Sequence, residues 1–279
     1  MLNPGLYIVP TPIGNLKDIT LRAIEVLQNA TLIAAEDTRH TRTLLDHIGS
    51  VSAKLISCHD HNEEERVEFI TNEVKKGGIV ALVSDAGTPL ISDPGYKLIV
   101  RYIENGVNVY PLPGACAAIT ALEGAALPTD RFIFEGFLPV KDKELREKIT
   151  GIKNNNVTTI VYESPRRVLN TCKILAEIMP DNDVCLCREL TKTFESFYRK
   201  KAKDLVAFLS EDENRQRGEF VIIIGPHKEA DKQEIPDSVL KTIESLAQFV
   251  PSKLLASSLS DLTGISKKDI YNEILKIKE

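Results

Sequence analysis

Through the first 125 residues, short apolar runs alternate with segments patterned for helix, and that alternation restricts the chain to few architectures. Residues 6–9, 31–35, 55–57, 79–83 and 107–110 read as strands. Residues 20–28, 38–47, 63–76, 96–104 and 115–124 read as helices, the first of them capped by Thr20. Strands separated by helices pair in parallel, and a parallel sheet needs both faces covered. The run IVALV at 79–83 then breaks into Ser84-Asp85-Ala86-Gly87-Thr88-Pro89. A second turn, SDPG at 92–95, leads into the next helix, with Asp93 as its expected cap and Pro94 in its first turn. Ligands of such sheets sit beyond the carboxyl ends of the strands. Residues too small to cover the backbone there let a ligand lie against it. Residues 10–15 and 113–118 form two further loops of this kind.

Beyond Pro128 the pattern changes. Residues 132–137, 157–162 and 184–187 read as strands and 143–152 and 166–178 as helices, while 194–198 and 220–224 suggest antiparallel strands flanking a helix at 203–209. The polar stretch 227–236 reads as a linker. After it come helical segments at 238–250, 252–262 and 266–278. The turn Leu262-Thr263-Gly264, with Ser266 as N-cap, resembles a helix-turn-helix; a small docking bundle has the same pattern. The expected architecture is therefore α/β: an N-terminal mostly parallel sheet with helices on both faces (1–127), a second α+β domain (128–227), and a C-terminal helical extension (236–279).

Composition narrows the function classes. Thirty-five basic against forty acidic residues give a net charge of −5, so any contact with a polyanion rests on local clusters such as Arg39-His40-Thr41-Arg42, Arg166-Arg167 or Arg199-Lys200-Lys201. No apolar run approaches the ~20 residues that span a bilayer, and MLNPGLYIVP lacks a signal-peptide pattern, so a cytoplasmic protein is expected. The five cysteines have no zinc-type spacing, and Cys185 and Cys187 should share one strand face as reduced, buried thiols. Cys58-His59-Asp60-His61 has ligand-type side chains but no second cluster to complete a site, so no metal is expected.

No G-x-G-x-x-G follows a strand, no P-loop occurs, and no G-x-S-x-G elbow is present. The residues that are present, in order, are PTPIGNL at 10–16, AAEDTR at 34–39, SDAGTP at 84–89 with SDPG at 92–95, and YESPRR at 162–167. Together these resemble the tetrapyrrole methylase superfamily, in its ribosomal RNA branch, from about residue 5 to residue 226. Many relatives have Gly-Asp-Pro where this chain has Asp85-Ala86-Gly87-Thr88-Pro89, a departure typical of that branch. The resemblance implies two α/β domains with S-adenosylmethionine in the cleft between them, methylation of the ribose 2′-hydroxyl of a decoding-centre cytidine in 16S rRNA within the 30S subunit, and a homodimer. It implies that Pro10, Ser84, Asp85, Gly87, Thr88, Cys116 and Ala117 line the cofactor site, completed by Tyr162, Glu163, Leu190, Gly218 and Glu219.

A ribose hydroxyl is a weak nucleophile, so a base or electrostatic stabiliser should assist an aligned methyl transfer. Glu36, Asp37, Glu163 and Glu189 are the candidate carboxylates, and Arg39 and Arg166 the candidate phosphate-binding residues, with Lys192 a weaker one. Each has a structural alternative: Glu36 and Asp37 as caps of the following helix, Glu163 as the partner of Arg166 or Arg167. The rival functions are methylation of a tetrapyrrole precursor and non-catalytic RNA binding in ribosome assembly.

Overall fold

In the computed structural model, which describes residues 2–58, 63–92, 95–227 and 235–278, the first five strands pair as the alternation requires. β1 (Gly5–Ile8), β2 (Leu32–Ala35), β3 (Lys54–Ser57), β4 (Ile79–Val83) and β5 (Val109–Pro111) form a parallel sheet in the order β3-β2-β4-β1-β5. Successive side chains of a strand feed opposite faces. On one face Leu6, Leu32, Ala34, Val80 and Leu82 pack with α3 (Glu63–Lys75) and α4 (Tyr96–Glu104), through Val67, Ile70, Leu98 and Tyr102. On the other, Tyr7, Val9, Ile33, Ala35, Ala81 and Val83 pack with α1 (Leu21–Asn29) and α2 (Thr38–Ile48), through Ala23, Val26, Leu27 and Leu44. Burial of each large aliphatic side chain is worth about 1.5–3 kcal/mol.

The two faces also fix where a ligand can sit. β1 connects through α1 to β2 on one side of it, whereas β4 connects through α4 to β5 on the other, using the opposite face. Right-handed crossovers that run in opposite directions must use opposite faces. The reversal of direction falls between the adjacent strands β1 and β4, and a crevice opens beyond their carboxyl ends.

The second sheet holds β6 (Phe132–Phe137), β7 (Thr158–Glu163), β8 (Asp183–Arg188), β9 (Ser196–Lys201) and β10 (Phe220–Ile224) in the order β6-β7-β10-β8-β9. Only β6 and β7 are parallel; β10 and β9 are antiparallel to their neighbours, as the sequence suggests. One face carries α6 (Asp142–Asn155), α7 (Val168–Ile178) and α8 (Ala202–Ser210). The other is covered by α5 (Ala117–Ala125), whose Ala118, Ala121, Leu122 and Ala125 lie on Ile160, Cys185, Cys187, Val221 and Ile223. Cys185 and Cys187 are buried free thiols on that face, 3.7 Å apart. Because α5 leaves the third small-residue loop of the first sheet and covers the second, it holds the two sheets in one compact unit, Met1–His227.

Several local expectations need correction. Asp93 and Pro94 lie outside the described residues, but α4 has Gly95 at its N-cap, with φ 120° and no side-chain cap bond. α7 starts at Val168, because the amides of Arg167 and Val168 both donate to Ser164 O at 3.0 Å and make a turn of residues 164–167. β9 starts at Ser196: the Glu195 amide donates to Lys192 O (3.1 Å), and the turn takes up Phe194. Of the Cys58–His61 string only Cys58 is described, and it is buried. Among the described residues no group of His, Cys, Asp and Glu is placed to hold a metal ion, and no helix is long and apolar enough to cross a membrane.

Lys228–Glu279 is a separate compact unit. Its helices α9 (Asp237–Leu246), α10 (Ser252–Thr263) and α11 (Lys267–Lys278) enclose a core of Val239, Ile243, Leu255, Leu259, Ile270 and Ile274. Gly264, at φ +72°, ends α10 in the left-handed conformation that the Leu262-Thr263-Gly264 turn requires.

Candidate active site in the cleft between the sheets

The three small-residue loops converge at the crevice and are bonded to one another through main chain. Thr11 and Gly87 exchange both backbone hydrogen bonds at 2.9 Å. The Thr11 hydroxyl donates to Ser84 O at 3.2 Å, and the Thr88 hydroxyl to Ala115 O at 2.9 Å. Gly114 packs so closely on Pro10 that a Cβ would stand 2.6 Å from the Pro10 Cβ. Gly87 itself has φ +80°, a conformation open to glycine at little cost. The carboxyl ends of β2 and β4 are latched as well: the Asp37 amide donates to Asp85 Oδ1 (3.0 Å) and the Asp85 amide to Glu36 Oε2 (3.4 Å).

The second sheet supplies the facing wall. Tyr162, on β7, meets the rings of Phe134 and Phe137 edge-on at 5.0 and 5.6 Å. The loop after β8 reaches the first loop: Asn15 N donates to Thr191 Oγ1 at 3.1 Å, and a Cβ on Gly14 would stand 2.6 Å from Lys192 Cγ. Glu189 and Thr191 have φ of +52° and +63°, and Leu90 and Ser92 of +75° and +68°. Non-glycine residues held in this region cost about 1–3 kcal/mol each, and such strain gathers at functional sites.

Between these walls lie two adjoining hollows. One, of about 340 Å³, is lined by Glu36, Asp85, Gly87, Thr88, Cys116 and Ala117 among others. The other, of about 320 Å³, is lined by Pro165, Leu190, Phe220 and Val221 among others; Ile13, Ala117, Phe137, Tyr162 and Glu219 border both. Glu36, Asp85 and Glu219 put carboxylates on the larger one, and no Lys, Arg or His lines either among the described residues. α5 begins at this wall, and the amides of its first turn have no partner within the helix.

The cleft brings together Asp85, Gly87, Thr88, Cys116, Ala117, Tyr162, Glu163, Leu190 and Glu219 of the expected ligand-binding set. Ser84 lines a different pocket, beside Thr11 and His40. Pro10 and Gly218 do not line the cleft: Pro10 packs on Gly114, and a Cβ on Gly218 would stand 2.6 Å from a Glu189 carboxylate oxygen. Sequence reasoning missed Ile13, Phe137, Ile91, Ser92 and Pro165, which line the cleft. Phe137, 59% exposed at the end of β6, carried a signal, a large aromatic on a strand end.

The expected catalytic residues separate sharply. Glu163 has a side chain 1% exposed, paired with Arg167 at 2.7 Å and not with Arg166. It also accepts from the Thr171 hydroxyl and the Ser164 amide, each at 2.7 Å, so its carboxylate is fully engaged in fixing the turn below Tyr162. Asp37 caps α2 through the Arg39 amide and forms an ion pair with the Arg39 guanidinium at 2.6 Å. Those contacts hold its carboxyl down at about 2 and raise the Arg39 guanidinium. At Glu189 burial raises the carboxyl, but the Glu219 amide (2.8 Å) and the Lys192 ammonium (3.2 Å) outweigh it and leave it lowered. Lys192, whose charge burial disfavours, is nonetheless raised by Glu219 and Glu189. Glu36 alone of these carboxylates both lines the cleft and keeps an oxygen, Oε1, without a hydrogen-bond partner among the described residues. Arg166 is exposed in its turn.

Residues 5–206 match the family model described as Tetrapyrrole (Corrin/Porphyrin) Methylases. The chain is 47% identical to ribosomal RNA small subunit methyltransferase I of Escherichia coli O157:H7, over 97% of this chain and 94% of that protein. It is 41% identical to the protein of that name from Halalkalibacterium halodurans, over 96% and 93%. Among solved structures it resembles cobalt precorrin-4 methyltransferase (TM-score 0.58, 20% identity, 79% of this chain and 94% of that one). It also resembles uroporphyrin-III C-methyltransferase from Thermus thermophilus complexed with S-adenyl homocysteine (TM-score 0.53, 17% identity, 79% and 97%). At those identities the structural likeness is one of fold.

Proposed function

We propose that this chain, which belongs to the tetrapyrrole methylase family and within it to the ribosomal RNA small subunit methyltransferase I group, transfers a methyl group from S-adenosylmethionine to the ribose 2′-hydroxyl of a decoding-centre cytidine in 16S rRNA. The observation that carries the reading is the charge of the cleft: Glu36 and Asp85 line it, Glu219 lines it while paired with Lys192 at 2.9 Å, and no Lys, Arg or His lines it among the described residues. Such a wall favours a positively charged sulfonium and disfavours a triphosphate.

The residues present fit that cofactor. The bare main chain at 85–88, with Gly87 at φ +80°, leaves room for a ligand against the backbone. Asp85, Thr88 and the first-turn amides of α5 offer polar partners to its amino-acid and ribose groups, and Ile13, Phe137, Tyr162 and Leu190 offer an apolar wall to its base. S-adenosylmethionine, when bound, supplies a methyl group activated by its bond to a cationic sulfur. Glu36 is the carboxylate assigned to the proton of the incoming hydroxyl, since Asp37, Glu163 and Glu189 are committed to other partners. Arg39 and Arg166, both exposed, are assigned to phosphates flanking the acceptor. The assembled 30S subunit as substrate, a homodimer and a cytoplasmic location belong to the same proposal.

The test is transfer of labelled methyl from S-adenosylmethionine to 30S particles isolated from a strain without this protein, beside a tetrapyrrole precursor. Label at one 16S ribose supports the reading; label in the small molecule alone overturns it.

A further inference from the structure

We propose that a second pocket, across Asp85 from the methyl-donor cleft, receives the acceptor as a single unpaired nucleotide with its ribose toward Asp85; this rests on the methyl-transfer reading above. The pocket holds about 360 Å³, and its lining includes Pro12, Leu16, His40, Thr43, Ser84 and Asp85. Asp85 lines the donor cleft too, so a donor and an acceptor held in the two cavities meet at one residue. That residue is firmly placed. Its Oδ1 accepts from the Asp37 amide at 3.0 Å, and its Oδ2 lies 3.6 Å from His40 Nδ1.

The lining matches a nucleoside in kind. Pro12 and Leu16 give an apolar surface for a base, while Asp85, His40, Ser84 and Thr43 give donors and acceptors for hydroxyls. A cavity of this size admits one nucleoside and excludes a duplex, so a nucleotide in a helix has to be extruded to enter it. Charge separates the two cavities. The donor cleft has no Lys, Arg or His in its described lining, whereas α2 beside this pocket carries Arg39, whose side chain is 88% exposed, and exposed Arg42. The polyanion is favoured on this side and the cation on the other.

Thr43→Phe fills the pocket without touching the donor cleft, and His40→Ala removes an exposed side chain, keeping the test open should the first variant fail to fold. Binding of S-adenosylhomocysteine by calorimetry and binding of unmethylated 30S subunits are measured on each. Donor affinity should stay at the wild-type value while 30S affinity falls about tenfold for Thr43→Phe, a change of about 1.4 kcal/mol. His40→Ala should shift it in the same direction and raise KM for 30S more than it lowers kcat. Wild-type 30S affinity in both variants, or a loss of donor binding with 30S affinity intact, overturns the proposal. A wild-type protein that binds no donor brings down the methyl-transfer reading as well, whereas a donor-binding wild type with indifferent variants brings down this assignment alone.

Discussion

At Gly87 an added Cβ would stand 3.2 Å from Ile13 Cγ2, at a φ of +80° that a β-branched residue adopts only under strain. Gly87→Val should therefore abolish binding of S-adenosylhomocysteine in calorimetry while the protein still melts cooperatively; wild-type affinity would remove residue 87 from the donor site. Glu163 lies at the other extreme. Its carboxylate has three donors and almost no solvent, so Glu163→Ala should lower stability by about 3 kcal/mol in denaturant unfolding, by taking the carboxylate partner from Arg167 and the acceptor from the buried Thr171 hydroxyl and the Ser164 amide. Unchanged stability with lost activity would restore it as a catalytic group. Asp37 has a testable sign. Its folded value, about 2, lies below the ordinary 3.8, so its contribution is present above that ordinary value and lost as pH falls toward about 2. Thermal melts from pH 5 down to pH 2 should show this component in the wild type and not in Asp37→Asn. The sequence left Glu36, Asp37, Glu163 and Glu189 as an undivided set, because which way a carboxylate turns at a strand end depends on the turn after it. The 164–167 turn brings Arg167 rather than Arg166 onto Glu163, and one residue of helix phase decides it.

Among the elements, α5 has most to do with holding the site. Its small side chains let it lie close on the second sheet, and at Gly124 a Cβ would run into the Phe197 ring. Gly124→Ala should cost about 1–3 kcal/mol by overpacking, read as a lowered melting temperature; an unchanged one would show that the α5 contact yields freely. The first sheet was legible because its central strands, buried on both faces, read as short unbroken apolar runs, whereas its helices bury one stripe of period 3.6. The bounds of β9 were not legible. They follow from a turn in which the Thr191 amide donates to Glu195 Oε2 (2.6 Å) and Thr191 takes φ +63°, a conformation no sequence period announces. Asp93 as cap had a sound local pattern, yet Gly95 takes that position in α4.

At the scale of the molecule, two sheets meet so that the bare loops of the first face the aromatic strand end of the second. The cleft between them was legible as three small-residue loops, but its aromatic wall, Phe137 beside Tyr162, arises only when β6 and β7 pair in parallel, with Phe137 opposite Tyr162 beyond an irregularity in register. The two compact units have separate cores, so a chain ending at His227 should fold and bind the donor, with calorimetry as the check; failure to bind would tie Lys228–Glu279 to the donor site. In the proposed function, main chain at 85–88 and 116–117 holds a phosphate-free, cationic methyl donor. A crystal structure of the protein with S-adenosylhomocysteine tests this most directly. The ligand should lie against Asp85, Gly87, Thr88 and Ala117 with its base toward Tyr162 and Leu190; a ligand bound elsewhere, with that cleft empty, would contradict it.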